Sequence, residues 1–437
     1  MNFINPESSL NTLRLRDRKN TLQTLSDYTY HTTPIMVHCH LHWDGVWQRP
    51  QQFMSRISMS RPVLFVETHV DSSVNTPTYR YAPAEGGGNV TILQVLFPPS
   101  VWHDGAYVDR TRRELVAAAV REPALRKFRK PVQWFYDPMA VTAFGGHMNE
   151  VLNVYDCMDQ LSQFRGAPPC LLERERKLLA LADLVFCGGS KLHQDKSRFH
   201  RNCHFYGCGV DIQHFAQARD GKCAVPSDIR DLPRPILGYY GVIDERLDYE
   251  LLAKLAQETS GSVVMVGPLA KVTPDELPSH PKLHFIGRRT YDQLPGYAKA
   301  FDVCMMPFAL NEATEFINPT KALEYLGAGR PVISTRVPDV VSLFSSEVVL
   351  ATDHEEFIRH AAQMAQNSDG ERRALGLQRA QSYTWDNIVG KLQDHMRHTF
   401  EGKRAATKNG RKRLAGKLRH ASSVDGKNAC QLTVPSV

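Results

Sequence analysis

The sequence predicts an α/β protein of two doubly wound domains that face each other across a cleft. Three observations carry this reading. Short apolar runs alternate with amphipathic stretches along most of the chain, the pattern of parallel sheets covered by helices on both faces. The chain has 437 residues, more than one ordinary core accommodates. The alternation also stops once, at the polar segment "HFAQARDGKCAVPSDIRDLPRP" (214–235), and then restarts. Hydrophobic residues make up 42% and charged residues 23%, as in a soluble globular protein.

Residues 1–33 read as a flexible N-terminal arm without the apolar core of a secretory signal. The first domain spans 34–215. Its strands are "IMVHCHL" (35–41), "PVLFVET" (62–68), "VTILQVLF" (90–97), "PVQWFYD" (131–137), "VLNVYDCMD" (151–159) and "DLVFCGG" (183–189). Its helices are "RPQQFMSRISM" (49–59), with Pro50 in the first turn, "RRELVAAAVREPALRKF" (112–128) and "CLLERERKLLALA" (170–182). A linker follows over 216–235. The second domain, 236–375, runs strand 236–241, helix 249–258, strand 262–268, strand 283–287, helix 291–300, strand 303–308, helix 319–328 and strand 331–335. A last helix over 376–400 is expected to pack back on the first domain, and 401–437 reads as a basic disordered tail.

That tail explains the net charge of +7, since Phe400–Val437 holds nine Lys/Arg against Glu401 and Asp425. The body is therefore near neutral, which argues against a nucleic-acid partner. A basic run such as "RKRLAGKLRH" suits peripheral contact with an anionic membrane face, or stays solvated. No apolar run approaches the roughly 18 residues of a membrane span. Nine scattered cysteines without a CxxC pair indicate neither a disulfide framework nor a zinc site, so a cytoplasmic location is the default.

The chemistry concentrates in "EFINPTKALEYLGAGRPVIST" (315–335). If 319–328 is helical, Lys321 and Glu324 share one face at i and i+3. Asn318 stands where an N-cap belongs, ahead of Pro319 at N1. Free N–H groups at that helix start, together with Lys321, suit a phosphate. Glu324 suits a ribose diol.

This stretch resembles the nucleotide-binding segment of GT-B glycosyltransferases of the family-4 type, close to the NPxKxxEYLAxGxPVV variant of bacterial teichuronic-acid and exopolysaccharide transferases. The resemblance implies two Rossmann-like domains and a nucleotide-sugar donor. It maps the ribose-binding glutamate onto Glu324. Glu315, as donor-sugar contact, stands nine positions before Glu324 where the family spacing is eight. "HCHLHWDGVWQRPQQF" (38–53) is similar to the N-terminal signature of the same subgroup, with Trp43, Asp44, Trp47, Gln48 and Arg49 where a glycine-rich loop is usual. Trp43, Asp44, Gln48 and Arg49 are then acceptor-side candidates. "VYDCMDQLSQF" (154–164) places Asp156 and Asp159 at a cleft edge, with a structural role for them equally open. "GYYGVIDERLDYELL" (238–252) makes Gly241 a donor contact and Arg246 the cation for the diphosphate. Gly267 and Arg288 fall where the base is held.

The implied reaction is transfer of a sugar from a nucleotide diphosphosugar, by analogy a UDP-sugar, to a hydroxyl of a saccharide or lipid-linked acceptor, with retention. Arg246, Lys321 and Asp159 would act at the reacting centre. No cofactor and no metal are expected. Two alternatives stay open: a UDP-sugar epimerase of the same fold, and a donor-binding scaffold without catalysis. A dinucleotide oxidoreductase is disfavoured, since no GxGxxG follows the first strand of either half.

Overall fold

The computed structural model describes residues 30–312, 314–367 and 369–424, with only the backbone course described from 408 onward. Expectations for residues 1–29 and 425–437 lie outside the described residues. The first domain is an eight-stranded sheet: β1 (Ile35–His38), β2 (Val63–Val70), β3 (Thr78–Pro83), β4 (Val90–Phe97), β5 (Val132–Phe135), β6 (Leu152–Cys157), β7 (Leu184–Cys187) and β8 (Cys203–Phe205), in the order β3-β4-β2-β1-β5-β6-β7-β8. Only the β3–β4 pair is antiparallel. The second domain is a wholly parallel six-stranded sheet: β9 (Ile236–Tyr240), β10 (Ser262–Val266), β11 (Leu283–Gly287), β12 (Val303–Met306), β13 (Val332–Thr335) and β14 (Val349–Ala351), in the order β11-β10-β9-β12-β13-β14.

The central strands are buried on both faces, which is why they read as unbroken apolar runs. Each sheet reverses direction beside its first strand, between β1 and β5 and between β9 and β12. Ligands of such sheets bind beyond the carboxyl ends of the strands at these switch points. The two sheets bring those ends together, so strand-exit loops of both domains line one cleft.

Three boundaries differ from expectation. Tyr30 and Thr33, read as part of the arm, are buried, with the Arg61 guanidinium 4.2 Å from the Tyr30 ring. The linker is a packed strap: Ile229 is fully buried in the second-domain core, and Lys299 Nζ donates to the carbonyls of Asp220 and Cys223 at 2.7 Å. The last helix runs Trp385–Val424 rather than ending at 400. Its extension is rich in Ala, Lys, Arg and Leu, which favour helix intrinsically. Trp385, Ile388, Leu392, Met396 and Phe400 enter the first-domain core, with Trp385 edge-on to Phe53 at 5.5 Å.

The chain therefore passes between domains twice, near 208–212 and near 383–385. The two passes are bonded to each other: Val210 N donates to Tyr383 O at 2.9 Å, and Trp385 N to Val210 O at 3.3 Å. No helix among the described residues is long and apolar enough to cross a membrane.

Candidate active site in the interdomain cleft

The cleft is bounded by the loop after β1, the start of the Arg49–Ile57 helix, the exits of β6, β9 and β12, and the Lys321–Gly327 helix. It encloses about 130 Å³ in this conformation. Small-molecule sites enclose about 300–1,000 Å³, so a ligand of that size would need the lobes to part.

Lys321 and Glu324 both line it. Lys321 Nζ lies 3.4 Å from Glu324 Oε2 and 5.7 Å from the Tyr240 ring. Glu324 Oε2 is buried without a hydrogen-bond partner, a state that a bound hydroxyl would relieve. Asn318 also lines the cleft, but it does not cap the helix. Thr320 occupies the N-cap position. Asn318 Oδ1 instead accepts from Cys208 N at 3.2 Å, and Nδ2 donates to Asp339 Oδ2 at 2.8 Å. Its amide ties the domain crossing to the second domain.

Arg246, after β9, and Asp159, after β6 of the first domain, also line the cleft. Asp244 grips the guanidinium bidentately, at 2.9 Å to Nε and 2.6 Å to Nη2, and orients it. Burial opposes the charge on Arg246, but Asp244 outweighs it and Asp159 adds to it, so its pKa lies above the usual value. Burial pushes the Asp159 carboxyl up, and the field of Arg246 pulls it back. A carboxylate and a cation are thus held in one field at the point where the domains meet.

Gly241 lines the cleft and has φ +152°. Gly267 lies behind it: a Cβ there would fall 1.7 Å from Gly241 O, so only glycine lets the two strand exits cross. Gly267 supports Gly241 rather than facing the cavity.

Several expected contacts are placed elsewhere. Trp43 is buried, its backbone N–H donating to Glu67 Oε1 at 2.6 Å, its indole N–H to Glu85 O at 3.3 Å and its ring edge-on to Phe65, so it supports the loop and is not open for stacking. Trp47 takes the position facing the cleft, 6.4 Å from Tyr291 of the other domain. Arg49 does line the cleft, but its guanidinium is held by Asp156, with Nε at 3.0 Å and Nη2 at 2.9 Å, and by the Tyr206 carbonyl at 2.7 Å. Both are buried, and the pair pins the first domain. Burial raises the Asp156 carboxyl while Arg49 pulls it down.

Asp44 is exposed and contributes its carbonyl, which accepts from Arg288 Nη2 at 3.0 Å across the domains. Arg288 is therefore an interdomain clasp. Glu315 ion-pairs with Lys191 of the first domain and does not line the cavity. Gln48 lines the cleft at the N-cap of its helix.

Sequence reading missed Gln52, Tyr239, Thr320 and Phe308, which also line the cleft. Gln52 could have been found, because it follows Gln48 by four residues on one helix face. Gln52 Nε2 reaches Tyr291 Oη at 3.3 Å. Among the described residues no group of three or more His, Cys, Asp or Glu is arranged to hold a metal.

Residues 246–394 match the Glycosyl transferase-like family. The chain is similar to TuaH of Bacillus subtilis (strain 168), a protein whose name assigns it to teichuronic acid biosynthesis as a glycosyltransferase, with 24% identity over 265 residues. That alignment takes in 55% of this chain and 66% of TuaH, just under two thirds of that relative. Among solved structures, sucrose-phosphate synthase from Thermosynechococcus elongatus superposes with TM-score 0.61 at 18% identity, over 85% of this chain and all of that one (100%). The E. coli trehalose-6-phosphate protein solved with UDP-2-fluoro glucose gives 0.57 at 12% identity, over 86% and 99%. Anabaena HepE solved with UDP and glucose gives 0.57 at 14% identity, over 84% and 99%. The architecture is that of the GT-B fold, and its second domain is glycosyl transferase-like.

Proposed function

We propose that this chain, a GT-B glycosyltransferase by its second-domain family and its two-domain frame, transfers a sugar from a UDP-sugar to a hydroxyl of a saccharide or lipid-linked acceptor. The observation that carries the proposal is the pairing of Lys321 and Glu324 on the second-domain wall of the interdomain cleft, in one cavity with Arg246 of the same domain and Asp159 of the first. The family match over 246–394 and the UDP-bearing neighbours support the donor class.

As the glycosidic bond breaks, negative charge grows on the leaving diphosphate. Arg246, fixed by Asp244, and Lys321 stand where that charge would develop, and preorganised cations in a water-poor site stabilise it strongly. Glu324 Oε2, ion-paired to Lys321 but without a hydrogen bond, would accept from the ribose hydroxyls. Closure of the two lobes brings the halves of the site together and excludes water. The donor lies on the second domain and the acceptor on the first, with retention of configuration.

The test is UDP release from a panel of UDP-sugars with and without saccharide acceptors. Acceptor-dependent release, lost in Lys321→Ala, supports the proposal. Release of a free epimer without acceptor would instead establish the epimerase alternative, and binding without turnover the scaffold.

A further inference from the structure

A second, larger cavity of about 530 Å³ opens beside the cleft, lined by the first domain and by Lys271 of the second. Its size and its mostly apolar lining with a few convergent polar groups are those of a small-molecule site. One wall is helical, with Asp109 and Arg112 on the Gly105–Ala119 helix and Arg174 on the Leu171–Leu181 helix. The other wall is made of strand exits, with His40 after β1 and Phe164 after β6. Phe164 also marks the border with the cleft, for the Arg246 guanidinium lies 5.7 Å from its ring.

The helical wall carries unequal charge. Arg112 Nη2 lies 2.7 Å from Asp109 Oδ1, and Arg174 Nη1 lies 2.9 Å from Asp109 Oδ2. Among the described residues no other carboxylate is within ion-pair distance of either arginine. Asp137, the other acid on the cavity, accepts from Met139 N at 2.8 Å and pairs with neither. Two guanidinium groups therefore share one carboxylate. The three side chains are only 9%, 17% and 8% exposed, for Arg112, Arg174 and Asp109. The Met139 carbonyl accepts from both arginines, which satisfies donors but does not neutralise charge. Arg112 Nε is buried with no hydrogen-bond partner. A buried surplus charge and an orphan donor on the wall of a ligand-sized cavity call for an anion.

We propose that this cavity takes the acceptor and that Arg112 and Arg174 hold an acidic group on it, so that the acceptor is a saccharide bearing a carboxylate or a phosphate ester. The inference rests on the glycosyl-transfer reading and adds the acceptor's chemical class. Trp102, 45% exposed at the rim, offers an aromatic face to the sugar ring. Guanidinium is suited to either anion, since both accept paired N–H bonds.

The test measures binding to the full chain of glucose, glucuronate, glucose 6-phosphate and inorganic phosphate, by titration calorimetry and by indole fluorescence, with UDP affinity measured separately. At least one acidic sugar should bind about tenfold or more tightly than glucose. Arg174→Gln and Arg112→Gln should each erase that preference and leave UDP affinity in place. Should Arg112→Gln fail to fold, Arg174→Gln, at the less buried position, carries the test. The identity of the preferred sugar separates carboxylate from phosphate. Equal binding of glucose and both acids overturns the proposal, as does a preference that survives both substitutions. Inorganic phosphate binding as tightly as glucose 6-phosphate also overturns it, because the site would then read a bare anion. Loss of UDP binding with the acid preference intact would remove the glycosyl-transfer reading and leave the anion cavity standing; the reverse result would remove the cavity proposal alone.

Discussion

Lys321 and Glu324 stand one helical turn apart with Nζ 3.4 Å from Oε2, and both side chains face the interdomain cleft. An isolated surface pair of this kind contributes a few tenths of a kcal/mol. Here the glutamate keeps a buried oxygen without a hydrogen-bond partner, so the pair is arranged for a ligand more than for the helix.

Different kinetic effects follow for its two members. Lys321→Met removes a charge that matters as the diphosphate departs, and kcat should fall about 10²–10³-fold. Glu324→Gln weakens a contact made equally in ground and transition states, so the donor KM should rise with kcat largely kept. Steady-state kinetics over a range of donor concentration separates the two, and an unchanged kcat in Lys321→Met would exclude its assigned role.

Arg49 and Asp156 are a buried pair at 2.9 Å, and each should matter to folding rather than to the ligand. Breaking such a pair costs about 3–5 kcal/mol because the remaining charge is left alone. Arg49→Met and Asp156→Leu should each lower stability by that order in a urea melt, and the double variant should cost less than the two singles added. A stable Arg49→Met with weakened donor binding would return Arg49 to the site.

Gly267→Ala would place a methyl 1.7 Å from Gly241 O at a φ of +154°. The backbone strain alone costs about 1–3 kcal/mol. Gly390, helical and with nothing within 4 Å of its added Cβ, is the contrast. Gly390→Ala should stabilise by about 0.5–1 kcal/mol. Paired denaturation curves check both signs, and equal effects at the two positions would refute the crossing argument.

His204 on β8 and His395 on the last helix stack at 3.8 Å. Burial, then the facing His395, lowers the His204 pKa to about 4, and burial also lowers His395. Unfolded histidine titrates near 6.5. Between these values the unfolded chain binds more protons, so stability rises with pH. The contribution is complete above about pH 6.5 and is lost as pH falls towards 4. Melting temperatures across that window should drop more steeply for the native chain than for His204→Asn; parallel curves would show that the pair does not couple the helix to the sheet.

How much of this could be read beforehand depended on where the partners lay. The strands β9, β10, β12 and β13 were legible because strands buried on both faces are continuous apolar runs. The helix Tyr249–Glu258 was legible to its bounds because Asp248 caps it and its apolar face repeats at helical spacing. β3 was missed, being a mostly exposed antiparallel edge strand with little apolar patterning. At the site, Lys321 and Glu324 were legible from their shared helix face and the family motif, Gln48 and Arg246 from the resemblance, and Asp159 from its position after a strand, and all five line the cleft. Trp43 was misread, because position after a strand shows proximity to the cleft but not the direction of a side chain, and its ring is held by the Glu85 carbonyl, 42 residues away, and by Phe65. Arg49 does line the cleft, but its partner Asp156 lies 107 residues away, beyond local reading. Asp109, Arg112 and Arg174 gave no signal, since charged residues on amphipathic helices read as solvated.

The paired crossings at Val210 and Tyr383–Trp385 determine what kind of opening the molecule permits. A single tether would leave one lobe free to twist and slide over the other. Two strands of backbone, bonded side by side, define an axis, and movement that keeps those bonds is rotation about it. Loci far from the axis then travel most, and the Arg288 contact with the Asp44 and Gly45 carbonyls is positioned to release as they do. A rotation that keeps these bonds would return Lys321 and Arg246 to the same register with the first domain.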